Sequence, residues 1–462
     1  MKDIKNEKKE FDSGINMTEG NVPRLLLKFA FPTMGQQVVL VIQSLLVTAM
    51  AGHFVGSVAL GAMAVTMPIV MIINAIAMGL TQSNSILIAQ AYGRRDTPEI
   101  RKIMDTSTIL VIGVCLIMMT LGLFFAKGVL KLIQTPVEIF TAANTILTII
   151  LSGIPFIFVQ FLFFSSLRGL GDSVHPMKFQ MVKLCSNIVL LPILVAVLKM
   201  GIKGLGLSMV LSDVIAAFVV ITFLRVKKSI IAPRLRSLTF IPKLAKMTFT
   251  IGFPSMIQQV FLNASVLFLV SLVNTFGHYA TEGYGVGTRI DFLSFALSIS
   301  ICSSVSILSG QNMGVEKYER VTETVKWGLI FSFIISAPVF LMALIFPKFL
   351  MGLFVSDPHV IEVGAQYLRI IFFNYILLNV IMTFEGVPLA AGQTYVVTII
   401  TIIHLVLARV PLAWWLSTKT SLGLVGIWYA IDASSLLCII LMYLYFLSGR
   451  WKVKNLIEKA KA

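Results

Sequence analysis

Phe31-Pro32-Thr33-Met34-Gly35-Gln36-Gln37-Val38 returns further along the chain as Phe253-Pro254-Ser255-Met256-Ile257-Gln258-Gln259-Val260. The offset is 254 − 32 = 222. Working outward from this pair, Ser85-Ile86-Leu87 with Gln90 and Gly93 matches Ser306-Ile307-Leu308 with Gln311 and Gly314, an offset of 221. Gly171-Asp172-Ser173 matches Gly392-Gln393-Thr394 at the same offset, and Pro192, Gly204-Leu205 and Asp213 match Pro411, Gly423-Leu424 and Asp432 at 219. An offset that drifts slowly over half a chain marks an internal duplication, and a duplicated chain folds as two copies of one unit.

The repeated material is apolar. Of the 462 residues 57% are hydrophobic and 13% charged, against roughly 25% charged in soluble domains. Mean hydropathy is +0.92. Hydrocarbon leaves a backbone N–H no partner outside its own segment, so a span needs about 20 apolar residues in a helix. About twelve such stretches are centred near residues 38, 70, 113, 152, 188, 216, 260, 296, 335, 374, 405 and 436. The reading is an all-α integral membrane protein of two six-helix bundles. An even number of spans per repeat makes both enter the bilayer in one direction, so the bundles are expected to be related by a pseudo-two-fold axis along the membrane normal, facing each other across a cleft. The expected divisions are an N-terminal tail (1–24), a first bundle (25–225), a basic linker (226–246), a second bundle (247–449) and a C-terminal tail (450–462).

The net charge of +16 raises the question of nucleic acid. Its distribution answers that question. Lys2, Lys5, Lys8, Lys9, Arg24, Lys28, Arg94, Arg95, Arg101, Lys102, Arg168, Lys178, the run Arg225 to Lys246, Lys317, Arg320, Lys326 and the tail cations Arg450, Lys452, Lys454, Lys459 and Lys461 fall in alternate loops. The opposite loops hold Lys127, Lys131, Lys199, Lys203, Lys348 and Lys419. This is the positive-inside pattern, and it predicts cytoplasmic termini and a multi-pass protein of the plasma (cytoplasmic, or inner) membrane. The polar start has no apolar h-region, so no cleavable signal is expected. Cys115, Cys185, Cys302 and Cys438 stand singly in apolar segments without metal-ligand spacing and read as packing residues. His53, His175, His278, His359 and His404 are scattered, and there is no H-E-x-x-H, P-loop or nucleophile elbow. No enzyme activity, cofactor or resident metal is expected, and without a Walker motif transport would run on an ion gradient.

The order of these motifs resembles the MATE (multidrug and toxic compound extrusion) family over essentially the whole chain. The resemblance rests on Phe31-Pro32 and Phe253-Pro254, on Gln90-Ala91-Tyr92-Gly93 and Gln311-Asn312-Met313-Gly314, and on Arg168-Gly169-Leu170-Gly171-Asp172-Ser173. Asn187, Gly285-Val286-Gly287-Thr288-Arg289-Ile290-Asp291 and Gly426-Ile427-Trp428 add to it. It implies an antiporter that expels amphipathic, often cationic, drugs and dyes in exchange for H+ or Na+, a single chain being sufficient. The chain departs from the family pattern at Val47 and Leu191, where many members carry Asp. Ion coupling is therefore expected in the second half.

A carboxylate at mid-bilayer costs about 2.5 to 3.5 kcal/mol on insertion scales, so an intramembrane acid is a functional hypothesis. The acids inside spans are Asp213, Asp291, Glu385 and Asp432. Glu385 is the sharpest, because its repeat partner is Phe164 (385 − 221 = 164) and because Pro388 is expected to interrupt the helix beside it. A carboxyl there can take up and release an ion as the cleft alternates. Asp213 and Asp432 occupy equivalent places and could share a structural task. Glu99, Asp105, Glu138 and Glu362, near span ends, are expected at the interface. Arg289 could offset Glu385 or Asp432, while Lys183 and Arg409, also inside spans, would snorkel, pair with an acid or repel cationic cargo. Gln36, Gln37, Asn187, Gln258, Gln259, Asn263, Asn374 and Arg289 form the expected substrate cleft, with Phe and Met as an adaptable apolar wall.

Three functions compete. One is a drug/ion antiporter, another a flippase for lipid-linked oligosaccharide within the same wider superfamily, and the third a membrane receptor or scaffold without transport. A flippase would need several cleft cations to meet pyrophosphate, and a scaffold would have no need of Glu385.

Overall fold

The computed structural model describes residues 14–233 and 238–452. Lys2, Lys5, Lys8 and Lys9 of the expected N-terminal tail, Arg234 and Arg236 of the linker, and Lys454, Lys459 and Lys461 of the C-terminal tail lie outside the described residues.

The described residues are helical and carry twelve spans, six in each repeat. The first six are α1 (Val22–Phe54), α2 (Ser57–Gly93), α3 (Thr97–Leu132), the bent pair α4 (Val137–Ser152) and α5 (Ile154–Gly169), α6 (Val174–Pro192) continued by a π-turn at Ile193–Val197, and α7 (Gly201–Val226). The second six are α8 (Pro242–Asn274), α9 (His278–Gly314), α10 (Tyr318–Ile345), α12 (Pro358–Ala390), α13 (Thr394–Ile402) running through a π-turn at Ile403–Arg409 into α14 (Val410–Thr418), and α15 (Leu424–Leu447). A short helix α11 (Pro347–Gly352) precedes α12.

Local chemistry places the ends. Asp96 accepts from the Glu99 amide and Asp357 from that of His359, and Pro98 and Pro358 occupy the first turns behind these caps. Gly56 and Gly277 sit at φ 94° and 95° before α2 and α9, a conformation that a side chain would strain. The fourth span bends by 48° at Gly153 because Pro155 lacks an N–H and its ring clashes with the preceding turn. The equivalent of Gly153 is Asn374 (153 + 221), and there α12 is unbroken. Pro388 does not interrupt α12 as expected: it lies in the last turn, where little helix remains to be broken, and the helix continues to Ala390.

Packing divides the chain into two units whose limits differ from chain order. One holds Gly35–Gly252, the other Met17–Met34 and the chain from Phe253. The start of α1, expected in the first bundle, thus packs with the second repeat, and the start of α8, expected in the second bundle, packs with the first. In the second unit Met17 is fully buried, its N–H donating to Gln311 Oε1 at 2.8 Å and its carbonyl accepting from Asn312 Nδ2 at 3.1 Å and Arg320 Nη2 at 3.2 Å. Lys317 Nζ donates to the Thr18 carbonyl at 2.9 Å. In the first unit, Thr239 and Ile241 donate their N–H groups to Asp105 Oδ2 and Thr106 Oγ1 at 3.4 and 3.3 Å. Gly252 lies so close to α2 that a Cβ would stand 2.9 Å from the Gly79 carbonyl oxygen. Glu99, expected at a solvated interface, is buried in the first turn of α3, with Lys102 at 3.9 Å.

Candidate functional site

In the second unit the most extensive helix pairing is α9 with α12. Beside it the helices α8, α9, α12, α13, α15 and the π-turn enclose a cavity of about 410 Å³. Its position follows from the aromatic core: Tyr284 stacks on Trp428 at 5.3 Å and Tyr367 meets the Trp428 edge at 4.6 Å, holding the three helices apart at ring thickness.

Two acids line the cavity. Glu385 is 6% exposed, and its Oε1 accepts from Gln258 Nε2 at 2.8 Å; the same Nε2 reaches Thr401 Oγ1 at 3.3 Å. Three helices, α8, α12 and α13, therefore meet at the Gln258 amide, one of whose partners is the Glu385 carboxyl. Asp291 accepts from the hydroxyls of Tyr367 and Tyr375, the latter at 2.6 Å, so both its oxygens are engaged by phenols from α12. Gln259, Asn263 and Asn374 also line the cavity, Asn374 donating to Ser435 Oγ at 2.8 Å.

Other expected residues lie elsewhere. Asp432 is half-buried off the cavity, and its Oδ1 has no hydrogen-bond partner. Asp213 is in the first unit, ion-paired with Lys183, which answers the alternatives raised for that lysine. Gln36, Gln37 and Asn187 also belong to the first unit, Gln36 and Asn187 buried, so they do not share the cavity. In that unit the place of Glu385 is taken by buried Phe164, stacked 6.2 Å from Phe179, and Val47 and Leu191 are buried apolar packing. Arg289 is exposed and off the cavity, since Gly287 and Ile290 hold the buried face of that helix turn. It is not placed to offset Glu385 there.

The cation in the cavity is Arg409. Its Nε donates to Ser434 Oγ at 3.1 Å, and its Nη2 to His404 Nε2 at 2.9 Å and to Ser435 Oγ at 3.3 Å. A guanidinium only donates, so His404 is neutral with its proton on Nδ1. The sequence names Arg409 as an intramembrane cation but leaves its direction open, and His404, Thr401, Tyr284, Tyr367 and Tyr375 give no signal there at all. Only the π-turn and the α9–α12 register bring them together. The four cysteines are free, and among the described residues no cluster of His, Cys, Asp and Glu could hold a metal ion.

Twelve spans in two repeats, with an acid-lined cavity inside one of them, define an internally duplicated, multi-pass membrane protein. The chain belongs to the MatE family, whose model matches residues 32–193 and 254–415. The two matches begin on Pro32 and Pro254, the prolines of the repeated octapeptide. The family is one of membrane transporters and not of enzymes. Among relatives, the "Probable multidrug resistance protein YpnP" of Bacillus subtilis is 29% identical over 96% of this chain and 99% of its own. "Probable multidrug resistance protein NorM" of Thermotoga maritima is 25% identical over 94% of each. The fold matches the "Crystal structure of MATE in the bent conformation" with a TM-score of 0.88 at 22% identity, over 96% of this chain and 98% of that one.

Proposed function

We propose that the protein is a secondary active multidrug exporter of the plasma membrane. It expels amphipathic or cationic organic compounds against an inward flow of H+ or Na+ by alternating access, as a single chain with both termini cytoplasmic. The observation that carries this reading is the Glu385 carboxyl, held on the cavity wall by Gln258, whose amide also donates to Thr401, while the repeat counterpart of Glu385 is the buried apolar Phe164. An ionisable group kept buried within a span against its insertion cost belongs to an ion pathway. Glu385 is the coupling group in this reading, with Asp291 beside it and Asp432 and Asp213 as lesser contributors. The printed names of the relatives support drug export, and the distribution of Lys and Arg supports the orientation.

The test is efflux of ethidium and of a carboxylate-bearing rhodamine from loaded proteoliposomes under an imposed pH or Na+ gradient, with Glu385→Gln beside the wild type. One gradient should drive efflux and the variant should lose at least about tenfold of the driven rate, since an amide of the same shape carries no exchangeable charge. If neither gradient drives efflux, the exporter reading fails. If the variant responds to the gradient normally, the assignment of Glu385 fails.

A further inference from the structure

We propose that Arg409 makes the cavity of the second unit an anion-recognising site, so that its cargo carries a carboxylate or comparable oxyanion on an apolar body. This rests on the exporter reading and narrows its cargo.

The argument begins with the backbone. A π-turn closes i to i+5, which carries residue 409 onto the face of residue 404, whereas five residues along a regular α-helix point well apart. The π-turn Ile403–Arg409 thereby turns Arg409 toward His404 and into the cavity. The repeat counterpart of Arg409 is Leu190 (409 − 219), and the cation on the corresponding helix of the first unit, Lys183, is ion-paired with Asp213.

What Arg409 meets is neutral: two serine hydroxyls and an imidazole nitrogen. Its Nη1 has no acceptor among the described residues. The two carboxylates that share the cavity are already engaged, Asp291 by two tyrosines and Glu385 by Gln258. Asp432 lies near enough for its charge to act on Arg409 but forms no ion pair with it. A guanidinium cannot shed its proton, and a cation held inside a span without a bonded counter-ion is costly. An incoming oxyanion supplies the missing acceptor in a charge-assisted bond, while Phe292, Phe295, Leu405 and Met442 receive an apolar body. A compound whose only charge is positive gains none of this.

The matched probes are a rhodamine bearing a free carboxylate and its methyl ester, which differ at the anion alone. Binding to the detergent-solubilised full chain is read by fluorescence anisotropy, without any gradient. Wild type should bind the free acid about tenfold more tightly, the worth of one charge-assisted hydrogen bond. Arg409→Gln should abolish the preference, Arg409→Lys should keep part of it, and Asp432→Asn should strengthen acid binding by removing a competing charge. Equal binding of the two probes to the wild type overturns the proposal without need of any variant, as does a preference that survives Arg409→Gln. Failure of gradient-driven efflux would instead strike the exporter reading, since this binding test does not depend on it.

Discussion

Asp213 and Asp432 occupy equivalent places in the two repeats, yet their surroundings differ. Lys183 on α6 neutralises Asp213, and both side chains are largely buried, so removing one charge strands the other. Lys183→Ala should cost about 3 kcal/mol, the usual penalty for breaking a buried pair, and lower the melting temperature in detergent. The double variant Lys183→Gln, Asp213→Asn should recover most of that loss. A single variant as stable as the wild type would show that the pair contributes nothing. At this scale the sequence is informative where the repeat is broken: Glu385 stands out against Phe164 from the alignment of the halves alone. Arg409 and Arg289 look alike in sequence, both cations inside a span. Which of them faces the cavity of the second unit depends on a π-turn that no periodicity announces, and that is why the sequence leaves the direction of Arg409 open.

At the scale of elements, the close packing of α9 on α12 depends on small residues. A Cβ on Gly287 would stand 2.5 Å from Cδ1 and 2.6 Å from Cε1 of Tyr367, so the ring must move. Tyr367 donates to Asp291, and the same ring lies against Trp428. Gly287→Ala should therefore act on the cavity from a distance, loosening the hold on Asp291. The expected result is a fall in cargo affinity of several-fold to about tenfold, comparable to that of Tyr367→Phe, since each removes one hydrogen bond to a charged group. The two changes combined should do little more than either alone, because they share one contact. Additive losses in that double variant would mean that Gly287 acts by another route. The twelve spans themselves are legible in the sequence, since every expected centre falls within a span, and residue 152 falls at the bend of the fourth. The internal irregularities are less so: Pro155 stands at the bend of its span while Pro32, Pro68, Pro254, Pro338 and Pro388 lie within continuous helices, so a proline alone does not announce a break.

For the whole molecule the telling fact is an exchange. Each unit is completed by the segment that leads into the other half's first span: Met17–Met34 packs with the second unit, and the start of α8 through Gly252 with the first. The exchanged segments match in the repeat, since 17 + 222 = 239, and Met17 is clasped by Gln311, Asn312 and Arg320 while Thr239 is held by Asp105 and Thr106. Chain order alone draws the boundary at the linker, because sequence similarity reports descent and not which surface a segment fills. A chain cut after Pro233 should therefore not give two self-sufficient bundles. The first piece lacks the helix start that packs Gly252 against Gly79, and the second lacks Met17, leaving Gln311, Asn312 and Arg320 without the backbone groups they bind. Expressed singly, each piece should run as aggregate on size exclusion in detergent, as bundles with an unfilled groove do. Expressed together they should co-purify through a tag on either one and give a single monodisperse peak. The idea is sunk if either piece alone is monodisperse and melts as high as the intact chain, for then the exchanged helix starts are adornments and each repeat is complete in itself.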